Sequence, residues 1–161
     1  MKRNIQILKD LDHISRAAAE IWVNTAARAT AERGRYLVAL SGGNTPAGLH
    51  KLLAEPASRD QVDWRATHVF WGDERCVSKD DPGNSYSQAR DDLLSLVAIP
   101  DENVHRVASD LEPESAAREY ARVLKDFAGL DEAGNPLEWP RFDLIVLGMG
   151  DDGHTASLFP G

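Results

Sequence analysis

The chain has 161 residues, enough for one domain with a real core, and its 42% hydrophobic and 27% charged composition is that of an ordinary soluble globular protein. Eighteen Lys and Arg against 26 Asp and Glu give a formal net charge of −8, which argues against nucleic acid or an anionic membrane surface as the main partner. The single cysteine, Cys76, excludes an intrachain disulfide and a thiolate-cage metal site, and the lack of any long apolar run leaves no signal peptide or membrane span, so a cytoplasmic protein is expected.

Residues Asn4 to Leu8 read as a short strand. From Leu11 to about Arg33, apolar positions at Ile14, Ala18, Ile21 and Thr25 recur at the spacing of one helix face, and Gly34 follows as a helix-ending glycine. "RYLVALSGG" is a buried strand running into a glycine turn. "TPAGLHKLLAE" then begins a helix, with Thr45 expected as its N-cap and Pro46 at the first helical position.

"THVFWGDER" is a second buried strand that ends in charged residues, and "KDDPGNS" is loop by its turn chemistry. Tyr86, Ala89, Leu93, Leu96 and Val97 form a helical stripe. "NVHRV" reads as a short strand, and Ala117, Tyr120, Leu124 and Phe127 mark another amphipathic helix. A polar connection, "GLDEAGNPLEWP", leads to the last strand, "FDLIVLG". The alternation of helices with continuously apolar strands predicts an α/β fold, a mostly parallel sheet with helices on both faces. Ligands of such sheets bind beyond the carboxyl ends of the strands.

Three strand ends carry unusual residues. In "ALSGGNTP", Gly42 and Gly43 permit close backbone approach, Ser41 and Thr45 add hydroxyls, and the following helix aims its first N–H groups into the turn, which together make a phosphate cradle. The bland alternative is a tight strand-to-helix turn. In "WGDER", Arg75 could pair with an anionic substrate and Asp73 could orient a base or a sugar hydroxyl, unless the cluster is simply solvated. In "GMGDDGHTASLFPG", Gly148, Gly150 and Gly153 let backbone N–H groups approach a substrate, His154 is a competent base near neutral pH, and Asp152 could hold its ring.

The other histidines, His13, His50, His68 and His105, have no comparable setting and read as structural. Asp152, His154 and Asp73 could in principle bind iron or zinc, but nothing else in the chain offers a ligand at suitable spacing, so no metal is expected. Cys76 lacks an identifiable base and is expected to be packed.

In that order, "SGGNTP", "FWGDERCV", "DPGNSY" and "FDLIVLGMGDDGHTASLFPG" resemble the 6-phosphogluconolactonases, within the wider group of sugar-phosphate isomerase-like folds that includes glucosamine-6-phosphate deaminase. "SGGxTP" is shared across that group, whereas the long "DGHTASLFP" motif is specific. The resemblance implies hydrolysis of 6-phosphoglucono-δ-lactone to 6-phosphogluconate in the oxidative pentose phosphate pathway, without a cofactor. It implies His154 as the base that activates water and Asp152 beside it. Ser41, Gly42, Gly43 and Thr45 would lie over the phosphate, with Arg75 lining the pocket.

Two alternatives remain open. Deaminases resemble "DGHxxFNEP" here, with a glutamate where this chain has Phe159, which favours the lactonase. A non-catalytic sugar-phosphate-binding protein would have no use for the base. Lactonases of this type also continue past "SLFPG", so the resemblance implies one lactonase domain over residues 1–161 that lacks its C-terminal part. A sheet left incomplete in this way would expose apolar edges and invite self-association.

Overall fold

A computed structural model describes residues 3–131 and 133–161. In chain order the elements are α1 (Leu11–Arg33), β1 (Tyr36–Leu40), α2 (Asn44–Ala54), α3 (Pro56–Arg59), β2 (Thr67–Trp71), α4 (Ser85–Asp92), α5 (Pro113–Asp126) and β3 (Leu144–Ile145). The three strands form one parallel sheet in the order β2-β1-β3, with Val38 opposite Val69 on one side and Leu144 on the other.

Every residue of β1 is buried, as a strand covered on both faces requires. Alternate side chains feed two cores. Tyr36, Val38 and Leu40 join Trp22 of α1, Leu49 and Leu53 of α2, and Val69 and Trp71 of β2. Leu37, Ala39 and Phe70 face the other way, against Val123 and Leu124 of α5, Phe127 and Phe142. Burying each large side chain of this kind contributes roughly 1.5–3 kcal/mol. The hydroxyl of Tyr120 on α5 accepts from Trp71 N at 2.8 Å and donates to Trp71 O at 2.9 Å, which pins this layer to the end of β2.

Helix α1 has its expected limits. Asp10 caps it by accepting from His13 N at 3.0 Å, and Gly34 closes it in a left-handed conformation. The buried face, however, is Ser15, Ala19, Trp22, Ala26 and Ala29, one residue out of phase with the sequence reading, while Ile14 and Ile21 are exposed. Trp22 and a stripe of small residues let the helix lie close to the sheet, and that packing sets its rotation.

The strand expected at Asn4–Leu8 does not form. Ile5 and Ile7 there are exposed, and among the described residues no neighbouring strand supplies hydrogen-bond partners, without which an extended segment is not a strand. "NVHRV" is reduced to a single bridge, Val104 with Val69, supported by His105 N to Val69 O at 2.8 Å. The stripe after Tyr86 breaks where Leu93 leaves helical geometry, and a 3₁₀ turn over Leu94–Leu96 follows. On α5 the buried alanine is Ala116, not Ala117. Among the described residues no helix is long and apolar enough to cross a membrane.

Candidate active site

The carboxyl ends of β1, β2 and β3 open into one cleft of about 550 Å³. Its walls include Ser41, Gly42, Gly43 and Thr45 after β1, Asp73 and Arg75 after β2, and Gly150 and His154 after β3. All three strand ends singled out in the sequence therefore meet. Asp152 does not line the cleft; it reaches it through His154.

The turn after β1 differs from expectation at one point. Thr45 is not the N-cap of α2: Gly43 occupies that position with φ 103°, and the helix begins at Asn44. The first-turn N–H groups of Asn44 and Thr45 have no intrahelical acceptor, and both residues line the cleft. Gly43 N is committed to Gln88 Oε1 at 3.1 Å, while Gln88 Nε2 donates to Pro82 O at 3.1 Å. Gly42 meets the start of α4 so closely that a Cβ there would lie 2.3 Å from Ser85 Oγ. Ser41 is buried and its hydroxyl has no hydrogen-bond partner among the described residues.

After β2, the three charged residues do three different things. Asp73 Oδ2 accepts from Ser157 Oγ at 2.7 Å, tying the last loop to β2, and among the described residues it has no hydrogen bond to His154. Glu74 does not line the cleft; its carboxylate accepts from Ser85 N at 2.8 Å and Tyr86 N at 2.9 Å, anchoring the first turn of α4 beside the glycine turn. A carboxylate at a helix N-terminus suits the macrodipole. Arg75 is exposed at the cleft, and its guanidinium has no partner among the described residues. Cys76 is exposed, not packed, because the chain after β2 runs over the surface.

After β3, the chain turns tightly, with Gly150 N donating to His154 O at 2.8 Å and Gly153 N to Gly150 O at 2.9 Å. Asp152 Oδ1 accepts from His154 N at 3.1 Å and lies 2.5 Å from His154 Nδ1. These bonds hold the Asp152 carboxyl below its ordinary range, the backbone bond first and the ring bond second, so it stays ionised. An ionised acceptor at Nδ1 selects the tautomer whose Nε2 lone pair is free. Phe159 stacks on the imidazole, with centroids 4.9 Å apart and planes inclined by 28°. Among the described residues, the one group of acidic and histidine side chains at metal-ligand spacing is the exposed Asp10, Asp12 and His13, where Asp10 already caps α1.

Gly150 cannot carry a side chain without moving the histidine. A Cβ there would lie 2.2 Å from His154 Cε1 and 2.9 Å from Asp152 Oδ1. Gly150→Ala is expected to break the Asp152–His154 hydrogen bond while changing stability by less than about 1 kcal/mol, since the loop is at the surface. The strongly deshielded, downfield Nδ1–H proton resonance of His154 should vanish from the NMR spectrum. Its persistence in the variant would show that the loop relaxes around the methyl group.

Gln88 and Ser157 have partners far along the chain that no local pattern announces, and Glu74, which reads in the sequence as part of a solvated charged cluster, instead accepts from Ser85 N and Tyr86 N. Asn84 was legible in principle. It caps α4 by accepting from Ser87 N at 3.1 Å, and Asn is a favoured N-cap residue.

Comparison with known proteins adds the following. The family described as "Glucosamine-6-phosphate isomerases/6-phosphogluconolactonase" matches residues 9–161. A 6-phosphogluconolactonase of Synechocystis sp. is 48% identical over 134 residues, covering 83% of this chain and 52% of its own length. A 6-phosphogluconolactonase of Nostoc sp. is 38% identical over 161 residues, covering 99% of this chain and 64% of its own. The crystal structure of 6-phosphogluconolactonase from Thermotoga maritima superposes with a TM-score of 0.80 at 30% identity, covering 96% of this chain and 62% of that one. The chain thus spans between half and two thirds of the length of these relatives.

Proposed function

Because the chain belongs to the glucosamine-6-phosphate isomerase/6-phosphogluconolactonase family, we propose that its cleft serves hydrolysis of 6-phosphoglucono-δ-lactone to 6-phosphogluconate, with His154 as general base. The observation that carries this reading is the Asp152–His154 pair set in the same cleft as the glycine turn. A lactone is already an activated ester, so no covalent nucleophile is required. His154 Nε2 takes a proton from water as the oxygen attacks the carbonyl carbon, and Asp152 stabilises the imidazolium that forms. The substrate phosphate sits on the first-turn N–H groups of Asn44 and Thr45, at the positive end of α2, with the unpartnered Ser41 hydroxyl and Arg75 as further donors. Holding that remote group fixes the carbonyl relative to the base.

The deaminase reading needs further acid–base groups to move protons between a sugar's ring oxygen, C1 and C2. At the position where the deaminase pattern has a glutamate, this chain has Phe159, and it stacks on the base instead of supplying one. The deciding assay offers the protein the phosphorylated lactone and glucosamine 6-phosphate separately, subtracting spontaneous lactone hydrolysis. Ammonia release from the amino sugar, or no lactone hydrolysis above background, would overturn the proposal.

Arg75→Ala is expected to raise KM for the phosphorylated lactone with little change in kcat, and to leave an unphosphorylated lactone nearly unaffected. Steady-state kinetics on both substrates tests this; equal losses would mean that Arg75 does something other than hold phosphate.

A further inference from the structure

A second concave site lies at the opposite, N-terminal end of the sheet. The register that pairs Val38 with Leu144 continues backwards, since Asp143 N donates to Leu37 O at 2.9 Å. Arg35 immediately precedes β1, and Arg141 lies three residues before β3. Both arginines, with Arg33, line a cavity of about 480 Å³ whose other walls include Leu37, Phe127 and Phe142.

Among the described residues, two carboxylates near the cavity have partners of their own. Asp143 pairs with Arg33 through Oδ1 and accepts from Leu37 N through Oδ2 at 2.9 Å. Asp131 accepts from Ala133 N, Asn135 N and Asn135 Nδ2, and these bonds, with a smaller contribution from the Arg141 charge, hold its carboxyl below the ordinary range. Among the described residues neither Arg35 nor Arg141 has a side-chain ion pair. Arg35 and Arg141 line the same cavity, so their like charges repel. An anion between them turns that repulsion into two charge-assisted contacts. His68, opposite Leu37 on β2, senses the same field: burial first, and the Arg35 charge second, push its pKa down.

We propose that this cavity binds an organic anion, with a phosphate or carboxylate group held between Arg35 and Arg141 and an apolar or aromatic body resting on Leu37, Phe127 and Phe142. The site has arginines to fix the charge and a cavity large enough for a small metabolite. It is separated from the cleft by the length of β1, about 16 Å at 3.3 Å per residue. The inference stands independently of the proposed lactonase reaction.

Titrating the 15N-labelled chain with phenyl phosphate tests it, with inorganic phosphate and benzyl alcohol as the charge-only and body-only probes. Phenyl phosphate is expected to give saturable shifts at the amides of Gly129, Leu130 and Phe142, and to bind there at least about tenfold more tightly than either partial probe. The double variant R35Q/R141Q keeps side-chain length but removes the charge. It should lose at least about tenfold in affinity at those amides, while Gly42 and Asn44 in the cleft respond as before. Shifts confined to the cleft, equal affinity for a partial probe, or unchanged binding by R35Q/R141Q would each overturn the proposal.

Discussion

Replacing His154 by alanine is expected to cut lactone turnover by about 10²–10⁴-fold, the usual contribution of one general base, while fold and ligand affinity stay nearly intact. The His154 side chain is accessible to the cleft, hydrogen-bonded to Asp152 and stacked on Phe159. Removing it leaves the glycine turn, Arg75 and the Asp73–Ser157 link in place, so the loss falls on kcat and not on binding. His154→Gln should fail to rescue the rate, because an amide can hydrogen-bond water but cannot take its proton at neutral pH. The measurement is initial rate above spontaneous hydrolysis, in a preparation whose unsubstituted protein is active. A variant that keeps full turnover, or one that an added metal ion restores, would rule out the histidine-base mechanism.

Acid is expected to weaken the fold well before its carboxylates titrate, and His50 is the main reason. His50 lies on α2, is 3% exposed, and has no hydrogen-bond partner for either ring nitrogen among the described residues. Burial pushes its pKa down to about 4, with the Asp92 charge opposing only weakly. The folded protein therefore keeps this imidazole neutral, while the unfolded chain protonates it below an ordinary pKa of about 6.5. Between those two values the unfolded state binds the extra proton, so stability falls as pH falls. At about 1.4 kcal/mol per pH unit, the loss approaches roughly 3 kcal/mol by pH 4. His105, pushed down to about 4 by burial and then by the neighbouring His68, adds a smaller loss because its ring is only half-buried. His50→Leu, similar in volume and free of unpaired nitrogens, should remove most of this dependence. Urea midpoints measured at pH 7 and pH 4.5 decide the matter. If the variant loses as much stability between them as the unsubstituted protein, His50 is not the source.

What could be read in the sequence was what depends on neighbours along the chain. The glycine turn after β1 and the "GDDGH" loop after β3 were visible because backbone conformation there is dictated within a few residues. That both meet at the cleft followed from the parallel arrangement, which the continuously apolar strands announced. The rotation of α1 was not legible: Ile14 and Ile21 make as good a stripe as Ala19 and Trp22, and only the sheet decides between them. For the cap of α2, Thr45 fits the local preference, whereas the tight turn puts Gly43 at that position. Glu74, Gln88 and Ser157 find partners 11, 45 and 84 positions away, beyond the reach of any local pattern.

The strand β3 is only two residues long, and among the described residues it pairs with β1 alone. Its attachment rests on a few hydrogen bonds, such as Val146 N to Ala39 O at 2.9 Å, and Ile145 within it is half-exposed. By contrast, β1 is buried throughout and paired on both sides. Proteins open locally where such anchorage is thinnest. When β3 peels away, His154 leaves with it, while the glycine turn stays fastened to β1 and α2. The molecule therefore fails in stages: the proposed base is lost from the cleft while the proposed phosphate site persists, and Trp22, Trp64 and Trp71 in the main core go on reporting a native protein.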